Sequence, residues 1–297
     1  MSKMNKRMRS ASYMQQYETM FQCPICQAAI QIKDLKSMVC KNQHTFDFTK
    51  QGYVNMTTHA IKTKYDKALF ESRRKISDDH RFFYPVSELL AQKISQYMKD
   101  KNMTIVDMGC GEGSQLSDIN DILTQVYHKQ AVNIGVDLAK EGILTAAKYD
   151  DAPMWLVADL AYSPFSKQQF DVVLNILSPS NYEEFTRILK DDGFIMKVVP
   201  QHHYLQELRK AIFADTDKQT YSNKDTVERF KQSFGLVEKV DICYTVTLQQ
   251  DALQALIQMT PLGWTITEQQ MHEFLHEGMR EITVDLAILI GRKRFVV

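Results

Sequence analysis

The sequence predicts an α/β protein: a mostly parallel sheet of seven strands with helices on both faces, preceded by a small metal-stapled module. Three observations predict it. From Pro85 onward, short apolar runs alternate with helical stretches. The first of those runs opens into a glycine loop. Upstream, three cysteines and a histidine crowd between residues 23 and 44.

Charge and length set the frame. The chain has 297 residues, 44% of them apolar, enough for one catalytic domain and one accessory module. The net charge is zero, yet residues 1–75 carry 14 Lys and Arg against 5 Asp and Glu, and the remainder carries 22 against 31. The N-terminal quarter therefore suits a polyanion and the rest does not. No run of about 18 apolar residues occurs, and the first twenty residues hold no apolar stretch, so neither a membrane span nor a secretory leader is expected. A soluble, cytoplasmic protein follows as the expectation.

Residues 1–20 are basic, methionine-rich and aperiodic, and are expected to be a disordered extension. Residues 21–51 are too few to fold without a staple. Cys23-x2-Cys26, thirteen residues, then Cys40-x3-His44 supply four ligands at the spacing of a closed tetrahedral zinc site. The excursion between the pairs, with Ile30, Ile32, Met38 and Val39, suits a short hairpin. A redox Cys-x2-Cys pair needs neither the third cysteine nor the histidine, and an odd total of five cysteines argues against a disulfide framework. Four protein ligands leave no open position, so the zinc is structural. Its removal is expected to unfold the module and to leave ligand binding elsewhere largely intact.

Residues 52–85 read as a basic connector. Lys62, Lys64, Arg73 and Arg74 are its candidates for phosphate contacts, and Tyr53, Phe83 and Tyr84 the aromatic rings for stacking. From residue 86 onward, helices are predicted near 86–98, 114–126, 140–149, 180–189, 201–214 and 224–233. Strands are predicted at 104–108, 131–136, 154–157, 170–174, 193–199, 235–248 and 281–290, the last two as a pair at the sheet edge.

Asp107-Met-Gly109-Cys-Gly111-Glu-Gly113 lies between the first of these strands and a helix. This D-x-G-x-G-x-G form is that of class I methyltransferases, Rossmann-like enzymes that use S-adenosylmethionine (SAM), and it differs from the G-x-G-x-x-G of dinucleotide enzymes. Glycines let the backbone pass close beneath a ligand. The second strand ends in Asp137, placed to accept both hydroxyls of a ribose. The third ends in Asp159-Leu160, where the acid can accept from an adenine amino group while Leu160 packs on the ring. Asp107, Gly109, Gly111, Gly113, Asp137, Asp159 and Leu160 together form the expected crevice at consecutive strand ends. Cys110 reads as a small buried residue, and Cys243 as a core residue of its strand.

With these residues in place, the chain resembles the bacterial 23S rRNA (guanine-N1)-methyltransferase family. The likeness runs through Cys23-Pro-Ile-Cys26, Cys40-x3-His44-x-Phe46-Asp47, Gly52-Tyr-Val-Asn55, Arg73-Arg74, the 107–113 loop, Gly135-Val-Asp137 and Met259-Thr-Pro261-x-x-Trp264. It covers residues 21–297, with 86–297 as the methyltransferase domain. The resemblance implies methylation of guanine N1 in a stem-loop beside the peptide exit tunnel, with subtypes acting on neighbouring guanosines and one linked to tylosin-type macrolide resistance. It also implies 23S rRNA or a ribosomal assembly particle as partner, and a homodimer. Tyr204 departs from the family, which often has His at that position.

Guanine N1 carries a proton that must leave as the methyl arrives. Asn175 and Ser178, in the loop after the fourth strand, lie where methyltransferases usually meet the acceptor base; both are candidate orienting residues and poor bases. Two alternatives remain open at this point: a SAM enzyme acting on another RNA, a protein or a small molecule, and a zinc-ribbon RNA-binding factor without catalysis.

Overall fold

The computed structural model describes residues 4–59, 63–213, 221–276 and 278–294. Helix α1 (Lys6–Gln15) starts at Asn5, whose Oδ1 accepts from the Met8 amide at 3.0 Å. It buries Ala11 and Met14 completely. Over these residues the expected disordered extension is thus a docked helix. Its order comes from tertiary packing, which supplies most helix stability in proteins and leaves little trace in so polar a segment.

The zinc-ligand region forms an antiparallel meander of β1 (Ile30–Lys33), β2 (Ser37–Cys40) and β3 (Thr45–Asp47). Strand β4 (Val54–Asn55) leaves this module and joins the large sheet. The second half of the expected connector is mainly helical. Helix α2 (Lys67–His80) is capped by Asp66 through the Leu69 amide at 2.9 Å, and α3 (Tyr84–Tyr97) follows after a left-handed turn at Arg81.

The remaining elements alternate as β5 (Asn102–Met108), α4 (Ser114–Gln125), β6 (Gln130–Asp137), α5 (Lys140–Tyr149), β7 (Met154–Val157), β8 (Phe170–Ile176), α6 (Tyr182–Ile188) and β9 (Leu189–Pro200). Then come α7 (Gln206–Ile212), α8 (Lys224–Ser233), β10 (Phe234–Gln249), α9 (Gln250–Met259), a 3-10 turn (Pro261–Thr265), α10 (Glu268–His276) and β11 (Met279–Lys293). The strand order is β10-β11-β9-β8-β5-β6-β7-β4. The strands from β4 to β9 are parallel, and β11 runs antiparallel to both of its neighbours. The seven expected strands are present, and β4 adds a two-residue eighth at the edge, too short to announce itself by periodicity.

Because β5 to β9 are parallel, their C-terminal ends share one edge of the sheet, where a doubly wound fold opens its crevice. Helices cover both faces, so the central strands are apolar on both sides. One of the two large cores among the described residues is continuous from Cys23, Met38 and Phe46 in the N-terminal module to Val106, Leu156 and Phe165 in the large domain. The junction is tied by the Phe21–Phe165 ring pair at 5.8 Å and by the Gln22 amide donating to the Pro164 carbonyl at 2.9 Å. Cys243 lies outside the core and is exposed: on the edge strand β10 the even residues from Glu238 to Val246 face inward and the odd ones face out.

Candidate active site

A cavity of about 780 Å³ opens at the C-terminal ends of β5 to β9, lined in part by Asp107, Gly109, Asp137, Asp159, Leu160 and Ser178. Gly109 takes φ +98°, and a Cβ there would collide with Ser178 Oγ; only glycine lets the loop and Ser178 approach so closely. Gly111 and Gly113 do not line the cavity. The Gly111 amide donates to Asp137 Oδ2 at 2.8 Å. At Gly113 a Cβ would strike the Trp155 ring, so this glycine serves the packing of α4 on the sheet.

Asp137 is held by amides on both sides, Gly111 on one oxygen and Ala139 on the other at 2.7 Å. Burial pushes its carboxyl up, and those amides together with Arg73 pull it back. Asp159 Oδ1 accepts from the Ala161 amide at 2.8 Å, which aims the short Asp159-Leu160 turn at the cavity. Asp107 differs from both. It is buried, and its Oδ1 has no hydrogen-bond partner among the described residues. Burial first, then the Asp137 and Glu112 charges, raise its carboxyl well above the usual range. An orphaned carboxylate in a ligand cavity suits a cationic group, and SAM carries an ammonium and a sulfonium.

Arg73 is inside this cavity. Its guanidinium packs against Phe70 and donates to the Met259 carbonyl at 3.3 Å, and it makes no ion pair among the described residues. The expected phosphate contact at Arg73 is therefore corrected: α2 turns this residue into the cavity, between the glycine loop and the end of α9. Arg74 is also withdrawn, paired with Asp78 at 2.5 Å and laid on Tyr149, its side chain only 16% exposed. Lys64 is exposed, 5.7 Å above the Trp264 ring. Lys62 lies outside the described residues. Of the aromatic candidates Phe83 lines the cavity, Tyr53 is buried, and Tyr84 is stacked under Arg81.

In the N-terminal module the donor atoms of Cys23, Cys26, Cys40 and His44 all lie within 4.8 Å of one another. His44 Nδ1 is 3.5 Å from the sulfurs of both Cys23 and Cys40, and the Cys26 and Cys40 sulfurs are 3.7 Å apart. A tetrahedral site with Zn–S near 2.3 Å has ligand edges of about 3.8 Å, so the cluster fits zinc without rearrangement. Two tight turns make it, each closing on a left-handed glutamine, Gln27 and Gln43. The Ala28 backbone amide, first among several neighbours, lowers the Cys26 thiol to about 6, favouring the thiolate that binds metal.

The family model for the N-terminal zinc ribbon of RlmA matches residues 21–58, and one for a methyltransferase domain matches residues 106–196. A Bacillus subtilis protein, YxjB, named provisionally as a 23S rRNA (guanine-N1)-methyltransferase, is 42% identical over 277 residues, 93% of this chain and 98% of that one. The chain belongs to the RlmA-type 23S rRNA (guanine-N1)-methyltransferase family. Within that family, a 23S rRNA (guanine(748)-N1)-methyltransferase of Streptomyces fradiae is 26% identical, covering 91% of this chain and 95% of its own. Among solved structures, a chain from Bacillus halodurans described provisionally as a methyltransferase aligns with a TM-score of 0.46 at 14% identity, over 69% of this chain and 99% of that one.

This RlmA-type chain is accordingly a SAM-dependent methyltransferase with a structural zinc ribbon. No helix among its described residues is long and apolar enough to cross a membrane. Asn175, expected in the loop after the fourth strand, lies within β8. That side chain is fully buried: Nδ2 donates to the Met108 and Pro179 carbonyls at 2.6 and 3.0 Å, and Oδ1 accepts from Ser180 and Lys197. Every polar direction of Asn175 is spent inside the protein, so it shapes the loop and does not touch a base. Ser178 does line the cavity, as does Tyr204, whose phenol burial drives well above its usual range.

Sequence reasoning missed Glu112 and Lys197, both cavity-lining and buried. Lys197 had a legible signal: a lysine within Phe-Ile-Met-Lys-Val-Val, a strand otherwise apolar on both faces.

Proposed function

We propose that this chain methylates N1 of a guanosine in 23S rRNA, in the same stem-loop as the guanosine 748 that names the Streptomyces fradiae relative. The observation that carries this reading is relatedness along nearly the whole chain, zinc ribbon and catalytic domain together, to proteins named for that reaction. Bound SAM supplies a methyl group on a sulfonium. Asp137 and Asp159 are the acceptors for its ribose and adenine, Asp107 the counter-charge for its cationic end, and Arg73 the counter-charge for its carboxylate. Bound there, SAM would give its methyl to guanine N1 as the S–C bonding electrons return to sulfur, and the N1 proton would pass to solvent water. In-line geometry requires the base to be out of its stack, at a cost of a few kcal/mol that a loop nucleotide largely avoids.

RNA contact rests on the zinc ribbon. Lys33, Lys36, Lys41 and Lys50 are exposed there and make no ion pair among the described residues. They replace Arg73 and Arg74 as the phosphate candidates, with Lys64 at the cavity side. A ribosomal assembly particle as substrate, a homodimer and a cytoplasmic location fit the same reading. Mass mapping of 23S rRNA from a strain lacking the gene should show one methylguanosine missing, restored by the intact gene; an unchanged modification pattern refutes the substrate.

A further inference from the structure

Lys197 stands on β9 opposite Asn175 of β8, with its side chain buried and lining the cavity. Its ammonium donates to Asn175 Oδ1 at 2.6 Å, to Ser180 Oγ at 2.6 Å and to the Ser178 carbonyl at 3.1 Å. An ammonium has three donors, and all three are used. Ser180 in turn donates to Asn175 Oδ1 at 2.9 Å, and Asn175 reaches back to the Met108 carbonyl, one residue before Gly109. The loop held in this way passes through a left-handed Leu177 (φ +51°) and presses Ser178 against Gly109. Such a backbone persists only where its surroundings over-determine it.

We propose that Lys197 is a positioning residue for methyl transfer, whose ammonium holds the 177–180 loop in the shape that faces the methyl acceptor. This deepens the rRNA reading and rests on it for the identity of the acceptor, but the loop's dependence on Lys197 is independent of which base is methylated. None of the three acceptors is a carboxylate, so the charge is offset by dipoles alone. From β11 the paired residue is Leu289. Beyond Ser180 stands Tyr182, whose phenol burial raises and which therefore stays neutral, with Arg229 acting on it from α8. Burial lowers the Lys197 ammonium to about 8. Its pKa is depressed, so the three-donor form is complete below that value and is lost as pH rises through it. Loss of the guanine N1 proton becomes easier in the same direction, so a falling alkaline limb cannot come from the acceptor.

The test uses the full chain with zinc and SAM bound. In wild type the turnover should fall as pH rises through about 8. Lys197→Met should lower kcat about 100-fold, the scale of a misplacement near 1 Å, remove that alkaline limb, and leave the SAM dissociation constant within about threefold. Lys197→Arg, which keeps the charge, should recover part of the rate and carry the limb to higher pH. Hydrogen exchange at the amides of Leu177, Ser178, Ser180 and Asn181 should accelerate in Lys197→Met while 171–175 stay protected. Unchanged exchange in the loop, or a rate that rises through pH 8 in wild type, overturns the proposal. The exchange arm needs no acceptor, so failure of the rRNA assignment is separable from failure here.

Discussion

The zinc ribbon and the cofactor cavity treat buried polar groups in opposite ways. In the ribbon, Cys23, Cys26, Cys40 and His44 face one another, and their turns satisfy the surrounding amides. In the cavity, Asp107, Glu112 and Arg73 all line the wall, with no ion pair among them. A buried charge left alone costs several kcal/mol. The ribbon thus becomes a finished object once one metal enters, while the cavity keeps its charges open for a ligand that carries both signs. The difference teaches where stability and function separate in this chain: the first site is built to be closed and the second to remain incomplete.

The comparison breaks hardest if the two regions turn out to be energetically independent, as the sequence expectation had it. Structural zinc contributes about 10–16 kcal/mol of apparent binding energy to small modules, so Cys40→Ser should unfold the ribbon. The effect should travel further. The ribbon's core continues into the large domain, β4 pairs with β7, and the Met56 amide donates to the Val157 carbonyl at 2.8 Å, two residues before Asp159. Zinc loss should therefore weaken SAM by about tenfold, roughly 1.4 kcal/mol, as read by calorimetry on the metal-free protein. A zinc-free chain with unchanged SAM affinity would show that the shared core transmits nothing.

The unfinished cavity predicts a trade between stability and binding. Asp107 has its carboxyl raised in the fold, so its contribution to stability is complete below the ordinary carboxylate range and is lost as pH rises through the folded value. Without ligand, Asp107→Asn should remove this loss and unfold at a higher temperature than wild type near neutral pH. It should also bind SAM more weakly by about 1–3 kcal/mol, the cost of removing one partner of a buried charged contact. Arg73→Met should weaken SAM to a similar degree. Scanning calorimetry with and without SAM checks both; an Asp107→Asn protein less stable than wild type in the absence of ligand would place the carboxylate in the structure and not in the site.

Legibility followed the same division. The metal ligands are local in sequence, and three cysteines and a histidine at fixed spacing leave few alternatives, so the ribbon could be read directly. The strand-end acids were equally visible because the loop and strand ends carry them in order. Arg73 enters the cavity only through tertiary packing: α2 packs on α9 and α5, and nothing local shows which face of that basic helix turns inward, whereas Glu112 inside the glycine loop and Lys197 in an otherwise apolar strand each carried a local signal. The role of Asn175 was misread, since its partners Met108 and Lys197 come from two other strands. Helix α1 was missed for the same reason, its burial supplied by contacts distant in the chain.

The smallest predicted effect separates paired from unpaired cations on the basic side of the molecule. Each exposed lysine that meets a phosphate releases condensed counterions, so the slope of log affinity against log salt should flatten by about 0.7–0.9 per lost contact. Lys33→Gln, Lys36→Gln, Lys41→Gln and Lys50→Gln should each produce a fraction of that change in rRNA binding, adding when combined, with SAM affinity unaltered. Arg74→Gln is the control, because its guanidinium is committed to Asp78 and Tyr149. Its salt slope should match wild type even if the protein is slightly less stable. Should Arg74→Gln flatten the slope while the four ribbon variants do not, the RNA must approach along α2, and the ribbon is a scaffold for the sheet edge alone.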